Sequence, residues 1–267
     1  MAGTFLDHLT SDDVAGLFPQ AARSRIKAFW PLIAAQLKEH HLTSREAVLY
    51  TIGTISAETR PTFSPGPERS SRHSQRVDKA GYSGIQDAGT VRPFGAYDST
   101  ITFKNGKPVI NKSLGNAYYR GKDDALMRAR HGDTEIPDLN EGEKYRGRGF
   151  VQITGKYNYG VMQRMVGGEL GIDLLGQPEK AEDPETAARI LACFLARHRS
   201  TIEKDMKAGH YRAARKVVNH QGLHWEKIER VVHGYDAAEA KKLAKAQAAR
   251  TMGPPRPSST VGPTRLP

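Results

Sequence analysis

The chain reads as a mainly α domain with a small β-hairpin region beside a cleft, and three stretches carry that expectation. Two are helical: the run from Thr43 to Glu58, which opens on a capping signal and repeats apolar residues at helical spacing, and DPETAARILACFLARH, residues 183–198. The third is ITFKNGKPVI, residues 101–110, where Asn105-Gly106 separates two short β-prone runs and favours a tight hairpin turn.

Taken in order, Ile26, Trp30, Ile33 and Leu37 fall at helical spacing, and Pro31 is expected to kink or divide that helix. Thr43-Ser44-Arg45-Glu46 has the form of a capping box, with the Thr43 hydroxyl and Glu46 carboxylate each able to satisfy an orphan amide. Val48, Ile52 and Ile55 then give one core-facing stripe, ending near Glu58 before Pro61. Most of 64–146 outside the hairpin reads as loops that wall a cleft. In 183–198, Asp183 caps, Pro184 enters the first turn, and Ala187, Ile190, Leu191, Phe194 and Leu195 share a face. Residues 211–219 and 224–233 read as two helical pieces joined at the turn 219–222. The Ala/Lys-rich stretch 236–250 has strong helix propensity and little to bury. Residues 1–250 make a single domain without internal repeats, and the Pro/Ser/Gly-rich tail 251–267 is expected to be disordered.

Composition narrows the function. The 267 residues are 38% hydrophobic, which suits a globular chain. No apolar stretch approaches the roughly 18 residues that span a bilayer, and the first residues lack the form of a signal peptide. The single cysteine, Cys193, excludes an intramolecular disulfide framework and clustered-cysteine metal binding. A net charge of +11 implies attraction to an acidic partner: nucleic acid, an anionic membrane surface or an acidic cell-wall polymer. No helix-turn-helix or zinc-finger spacing supports the first.

The densest chemistry lies in EKYRGRGFVQITGKYNYG, residues 143–160, which sets four glycines, three tyrosines and several hydrogen-bonding side chains around one short apolar run. Read as a strand, it would present polar groups to a ligand while its glycines let the backbone approach closely. Glu58 is the second focus. A half-buried carboxylic acid with apolar neighbours holds its proton better than a solvated one, as a general acid must. Glycoside hydrolysis needs a second carboxylate, and Glu68, Asp78, Asp87 and Asp98 are within reach. Glu68 could curl across a groove on the loop containing SPGP; an inverting enzyme wants the two groups about 6.5–9.5 Å apart.

YRGRGFVQITGKYNYG, residues 145–160, resembles the signature segment of glycoside hydrolase family 19, the chitinases and related phage endolysins, with Gly147, Arg148, Gly149, Gln152, Thr154, Tyr157, Asn158 and Tyr159 in step. SAETRPTF is similar to the segment carrying that family's general acid, LGNAYYRG at 114–121 to the block ahead of the signature, and VVNHQG at 217–222 to its Asn-Gly turn. The resemblance spans about 44–235. It implies a lysozyme-like, bilobal α+β fold, with Glu58 as acid, Glu68 or another loop carboxylate as base, and Thr154 holding the attacking water. Gln152, Tyr157, Asn158, Asn219 and Arg148 would serve substrate binding, with no metal or organic cofactor. Ser56-Ala57 and Arg60-Pro61 depart from the family's residues on either side of the acid.

Chitin and peptidoglycan share β-1,4-linked N-acetylglucosamine, so the matched residues do not choose between them. The charge, the absence of a recognisable signal peptide and the lack of secreted-chitinase cysteines favour a peptidoglycan glycan strand. The expectation is therefore a monomeric cell-wall hydrolase that binds no nucleic acid and inserts in no membrane, made in the cytoplasm and acting at the wall or periplasm after release. A chitinase and a catalytically inactive sugar-binding module are the alternatives.

Overall fold

Helix-forming segments dominate the chain: in the computed structural model, which describes residues 3–59, 62–67, 100–104, 107–110, 135–137 and 144–251, the architecture is mainly helical. After a short 3-10 turn, Phe5–His8, come α1 (Ser11–Gly16), α2 (Arg23–Glu39) and α3 (Arg45–Glu58). Strands β1 (Thr100–Lys104), β2 (Lys107–Ile110) and β3 (Glu135–Pro137) follow. Helix α4 (Lys156–Met162) then runs through a π turn, Gln163–Gly167, into a last helical turn at Gly168–Leu170. The remainder is α5 (Pro184–Ala196), α6 (Arg199–Lys207), α7 (Tyr211–Arg215) and α8 (Glu226–Thr251).

Helix α3 is the centre of the core. The sequence assigns it one apolar stripe, and Val48, Ile52 and Ile55 are indeed buried, but so are Leu49, Tyr50, Thr51 and Thr54. A helix covered on all sides is what packing against α6, α8 and the N-terminal turn produces. Two of its polar side chains are satisfied, locally or across the core: Thr51 Oγ1 donates to the Ala47 carbonyl at 2.7 Å, and Tyr50 Oη to the Ala214 carbonyl at 3.0 Å, whereas the buried Thr54 hydroxyl has no hydrogen-bond partner among the described residues. The cap also moves by one residue from the expected Thr43. Ser44 has the extended backbone of an N-cap, accepts from the Ala47 amide at 3.3 Å and donates to Glu203 at 2.7 Å, so a carboxylate on α6 fixes the choice.

Helices α3 and α8 meet at Gly53. A Cβ placed there would lie 2.7 Å from the Ile228 Cα, so only glycine permits this approach. Helix α2 runs on through Pro31, so of the expected kink or division the division does not occur. Lys27, whose carbonyl the proline leaves without its helical donor, and Pro31 itself are both exposed, so water replaces the lost hydrogen bond. On the opposite face Ile26, Trp30, Ile33 and Leu37 are buried, each aliphatic side chain contributing about 1.5–3 kcal/mol of burial.

Helix α5 packs on α2 and matches its sequence signals closely. Asp183 accepts from the Glu185 and Thr186 amides at 3.1 and 3.0 Å, Pro184 begins the helix, and Ala187, Ile190, Leu191 and Leu195 are buried, with Phe194 partly so. The two pieces expected at 224–233 and 236–250 form one helix, α8, whose last buried side chain among the described residues is Val232. Arg45 to Asp236 and Lys242 to Asp13, the latter 2.7 Å, tie its exposed half to the body.

Strand β1 pairs antiparallel with β2, from Ile101 opposite Ile110 to Lys104 opposite Lys107, and on its other edge with β3. Asn105-Gly106, most of 64–146 and the tail beyond Thr251 lie outside the described residues. No helix among the described residues is long and apolar enough to cross a membrane.

Candidate active site

Glu58 is the last residue of α3, a position where a carboxylate meets the negative end of the helix dipole. Cations offset that placement. Arg215 Nη2 lies 2.5 Å from Glu58 Oε1, with the arginine side chain 1% exposed and the glutamate 17%. Lys227 Nζ donates to the Ser56 carbonyl in the same final turn at 3.0 Å. Burial holds the Lys227 ammonium below its ordinary value against the pull of Glu226, and the charges of Arg215 and Arg230 add to the lowering. Burial likewise pushes the Tyr50 phenol well above its ordinary value. The apolar surroundings expected for Glu58 are thus replaced by an ion pair. Oε2 has no partner among the described residues, so one carboxylate oxygen is anchored and the other is left for chemistry.

The sequence reading missed Arg215. Its signal was present: one arginine between Ala213-Ala214 and Val217-Val218, four residues before Asn219, in a run where Ala214 is buried and both valines are partly so. Arg215 Nε also donates to the Leu223 carbonyl at 2.9 Å, and Nη1 is buried without a partner among the described residues. The guanidinium therefore joins the end of α3 to the loop after α7. That helix stops at Arg215, whose carbonyl accepts from the amides of Val218 and Asn219 at 3.2 and 3.0 Å. Asn219 Oδ1 then accepts from the Gln221 and Leu223 amides at 3.2 and 3.3 Å. Its oxygen staples the turn, and its amide nitrogen has no partner among the described residues.

The chain leaving Glu58 is pinned against the 145–160 segment. Phe63 is fully buried at φ 50°, with Phe18 and Phe150 rings at 5.4 and 6.1 Å and Phe29 beyond Phe150 at 5.8 Å. The Gly149 amide donates to the Pro65 carbonyl at 2.8 Å, and Gln152 Nε2 to the Gly66 and Gly149 carbonyls at 3.0 and 2.8 Å. The Gln152 amide nitrogen, expected to face a sugar, is thus occupied in holding this junction.

The expected strand at 145–160 does not form. A single bridge pairs Arg148 with Ile153 around a tight loop, and KYNYGVM is helix α4. Positive φ at Gly149 (77°), Gln152 (50°) and Gly155 (83°) interrupts any extended run. At Gly149 a Cβ would lie 3.0 Å from the Ala181 carbonyl, so the glycine is also a packing requirement.

Around that loop the side chains divide into framework and accessible groups. Arg148 is buried: Nε pairs with Glu182 at 2.7 Å, while Nη1 donates to the Lys144 carbonyl at 2.7 Å and to Tyr159 Oη at 3.2 Å. Tyr159 donates onward to the Arg146 carbonyl at 3.0 Å, and burial raises its phenol to about 12 although Arg148 pulls the other way. Tyr145 lies beside it, rings 5.3 Å apart, and donates to the Leu175 carbonyl at 2.8 Å. Thr154 is half-buried, with Oγ1 donating to the Gln152 carbonyl at 2.9 Å and accepting from no donor among the described residues. Asn158 is exposed and donates to the Thr154 carbonyl at 2.8 Å, and Tyr157 is half-buried beside it in sequence.

Two groups result. Glu58 and Asn219 are joined through Arg215, while Gln152, Thr154 and Asn158 form one loop cluster tied to the segment that follows Glu58. Glu68, Asp78, Asp87 and Asp98 lie outside the described residues. Among the described residues no group of three His, Cys, Asp or Glu could hold a metal ion. No family model matches the chain, and no curated protein matches it.

Proposed function

We propose that the chain is a glycoside hydrolase of the endolysin type, cleaving β-1,4 bonds of the cell-wall glycan by an inverting acid/base mechanism. The observation that carries the proposal is Glu58 at the end of the central helix, anchored through Oε1 to a buried arginine, with no partner for Oε2 among the described residues. The pair gives such a carboxyl a fixed direction, and its protonated form has one oxygen, away from the guanidinium, from which to deliver a proton to a leaving glycosidic oxygen. The reading includes a lysozyme-like arrangement in which the β-hairpin stands beside the substrate cleft.

In this mechanism Glu58 Oε2–H protonates the departing oxygen as the C1–O bond breaks. Glu68 removes a proton from the attacking water, which Thr154 Oγ1 holds, and the new bond forms on the opposite face of the sugar. Asn219 and Asn158 offer amide groups to sugar hydroxyls and N-acetyl carbonyls, and Tyr157 offers a ring face. Gln152 and Arg148 act beneath them as positioning residues, Gln152 keeping the loop against the segment that leaves Glu58 and Arg148 holding the loop to Glu182 and Tyr159. The test is lysis and product stereochemistry. Wild type should clear outer-membrane-permeabilised Gram-negative cells, and proton NMR of fresh digests should show the α anomer first. Cleavage of soluble chito-oligosaccharides without wall lysis would favour a chitinase; binding of both glycans without cleavage would favour an inactive module.

A further inference from the structure

Beyond the paired arginine, the α7 region carries two cations to which neither the fold nor the proposed mechanism gives a role. Arg212 and Lys216 are exposed and have no ionic partner among the described residues. Their stems share one neighbour. Gly222, with φ 68°, sits against their aliphatic stems: a Cβ there would lie 3.0 Å from Arg212 Cγ and 3.5 Å from Lys216 Cγ. Gly222 belongs to the turn stapled by Asn219, and the next residue, Leu223, gives its carbonyl to Arg215, which holds Glu58. The stems of the two cations therefore lie against the Asn219 turn, which Arg215 connects to the carboxylate. The carboxylate closest to them along this loop, Glu226, faces His224 at 3.6 Å.

We infer that Arg212 and Lys216 form an anion subsite beside Glu58 that selects a glycan bearing carboxylates over a neutral N-acetylglucosamine polymer. The inference rests on the hydrolase reading for its biological setting, but its chemistry is binding and is testable without turnover. Two cations whose stems start from one glycine turn can converge on a single carboxylate, and their exposure makes the attraction salt-sensitive. The carboxylates could sit on the sugar's lactyl ether or on the stem peptide.

The test titrates Glu58→Gln, which cannot turn substrate over, with three ligands of equal length: peptide-bearing peptidoglycan strands, strands stripped of peptide but retaining lactyl groups, and neutral chito-oligosaccharide. Adding Arg212→Gln and Lys216→Gln should lower the acidic-to-neutral affinity ratio by about fivefold to tenfold at low salt, with a smaller difference at high salt. Loss confined to peptide-bearing strands assigns the stem carboxylate; loss with both assigns the lactyl group. Lys204→Gln on α6 serves as the charge control and should leave the ratio unchanged. An unaltered ratio in the double charge variant overturns the subsite, as does an equal fall in Lys204→Gln. Turnover by wild type, measured in parallel on the same ligands, separates the two claims. Turnover with an unaltered ratio refutes only the subsite; a lowered ratio without turnover refutes only the hydrolase; binding to none of the three ligands overturns both.

Discussion

Replacing Arg215 by methionine tests whether the ion pair organises the end of α3. The substitution keeps much of the stem but removes both the 2.5 Å contact to Glu58 and the 2.9 Å donation to the Leu223 carbonyl. Removing one member of a buried pair costs about 3–5 kcal/mol, because the remaining charge is stranded. Glu58 keeps 17% exposure, so water recovers part of that loss, and about 2–4 kcal/mol is expected. For a chain of this size the shift in melting temperature is roughly 2–4 °C per kcal/mol. Glu58→Gln should cost less, since the amide still offers an oxygen to the guanidinium. The double variant should cost less than the two single losses added, leaving a coupling of about 1–3 kcal/mol. Urea unfolding at pH 7 of the four proteins gives the cycle directly. Additive losses, within about 0.5 kcal/mol, would refute the claim that these two side chains stabilise one another.

Two further predictions concern the scaffold. Gly53→Ala gains up to about 1 kcal/mol of helix propensity but drives a methyl group to within 2.7 Å of the Ile228 backbone, so it should destabilise by about 1–2 kcal/mol net; a melting temperature at or above wild type contradicts the α3–α8 crossing. Tyr159 titrates at about 12 in the fold against 10.0 unfolded, so the folded state holds its proton more tightly. Its stabilising contribution is complete below about pH 10 and is lost as pH rises towards 12. Tyr159→Phe should lower stability at neutral pH, because Arg148 and the Arg146 carbonyl lose a partner, yet flatten the alkaline decline. An alkaline denaturation profile with an unchanged slope removes Tyr159 from the account.

What was legible from sequence was local. Helix α5 declares itself through Asp183, Pro184 and an apolar face, all within one stretch, and the structure keeps each role. At the start of α3 two adjacent hydroxyls competed, and the winner, Ser44, is chosen by Glu203, 159 residues away. Pro31 looked disruptive because sequence does not reveal that its side of α2 faces water. The segment 145–160 was misread as a strand because its apolar run is punctuated by residues at positive φ, a backbone property that composition only hints at. Glu58 was singled out by its place at a helix end, but Arg215 lies 157 residues away and only folding brings them together. Tyr145 and Tyr159 show what composition leaves open: polar side chains in a dense motif can be buried and committed to the framework, as both are here.

The central claim is that Glu58 supplies the proton for glycan cleavage, and the most direct measurement is the rate at which new reducing ends appear from purified peptidoglycan with wild type and Glu58→Gln. Both proteins should first be shown folded at the assay temperature by circular dichroism. The account predicts steady release by wild type and a fall of about 10²–10⁴-fold in the variant, the range for loss of a general acid. Equal release by the two proteins, or none by wild type, would contradict it.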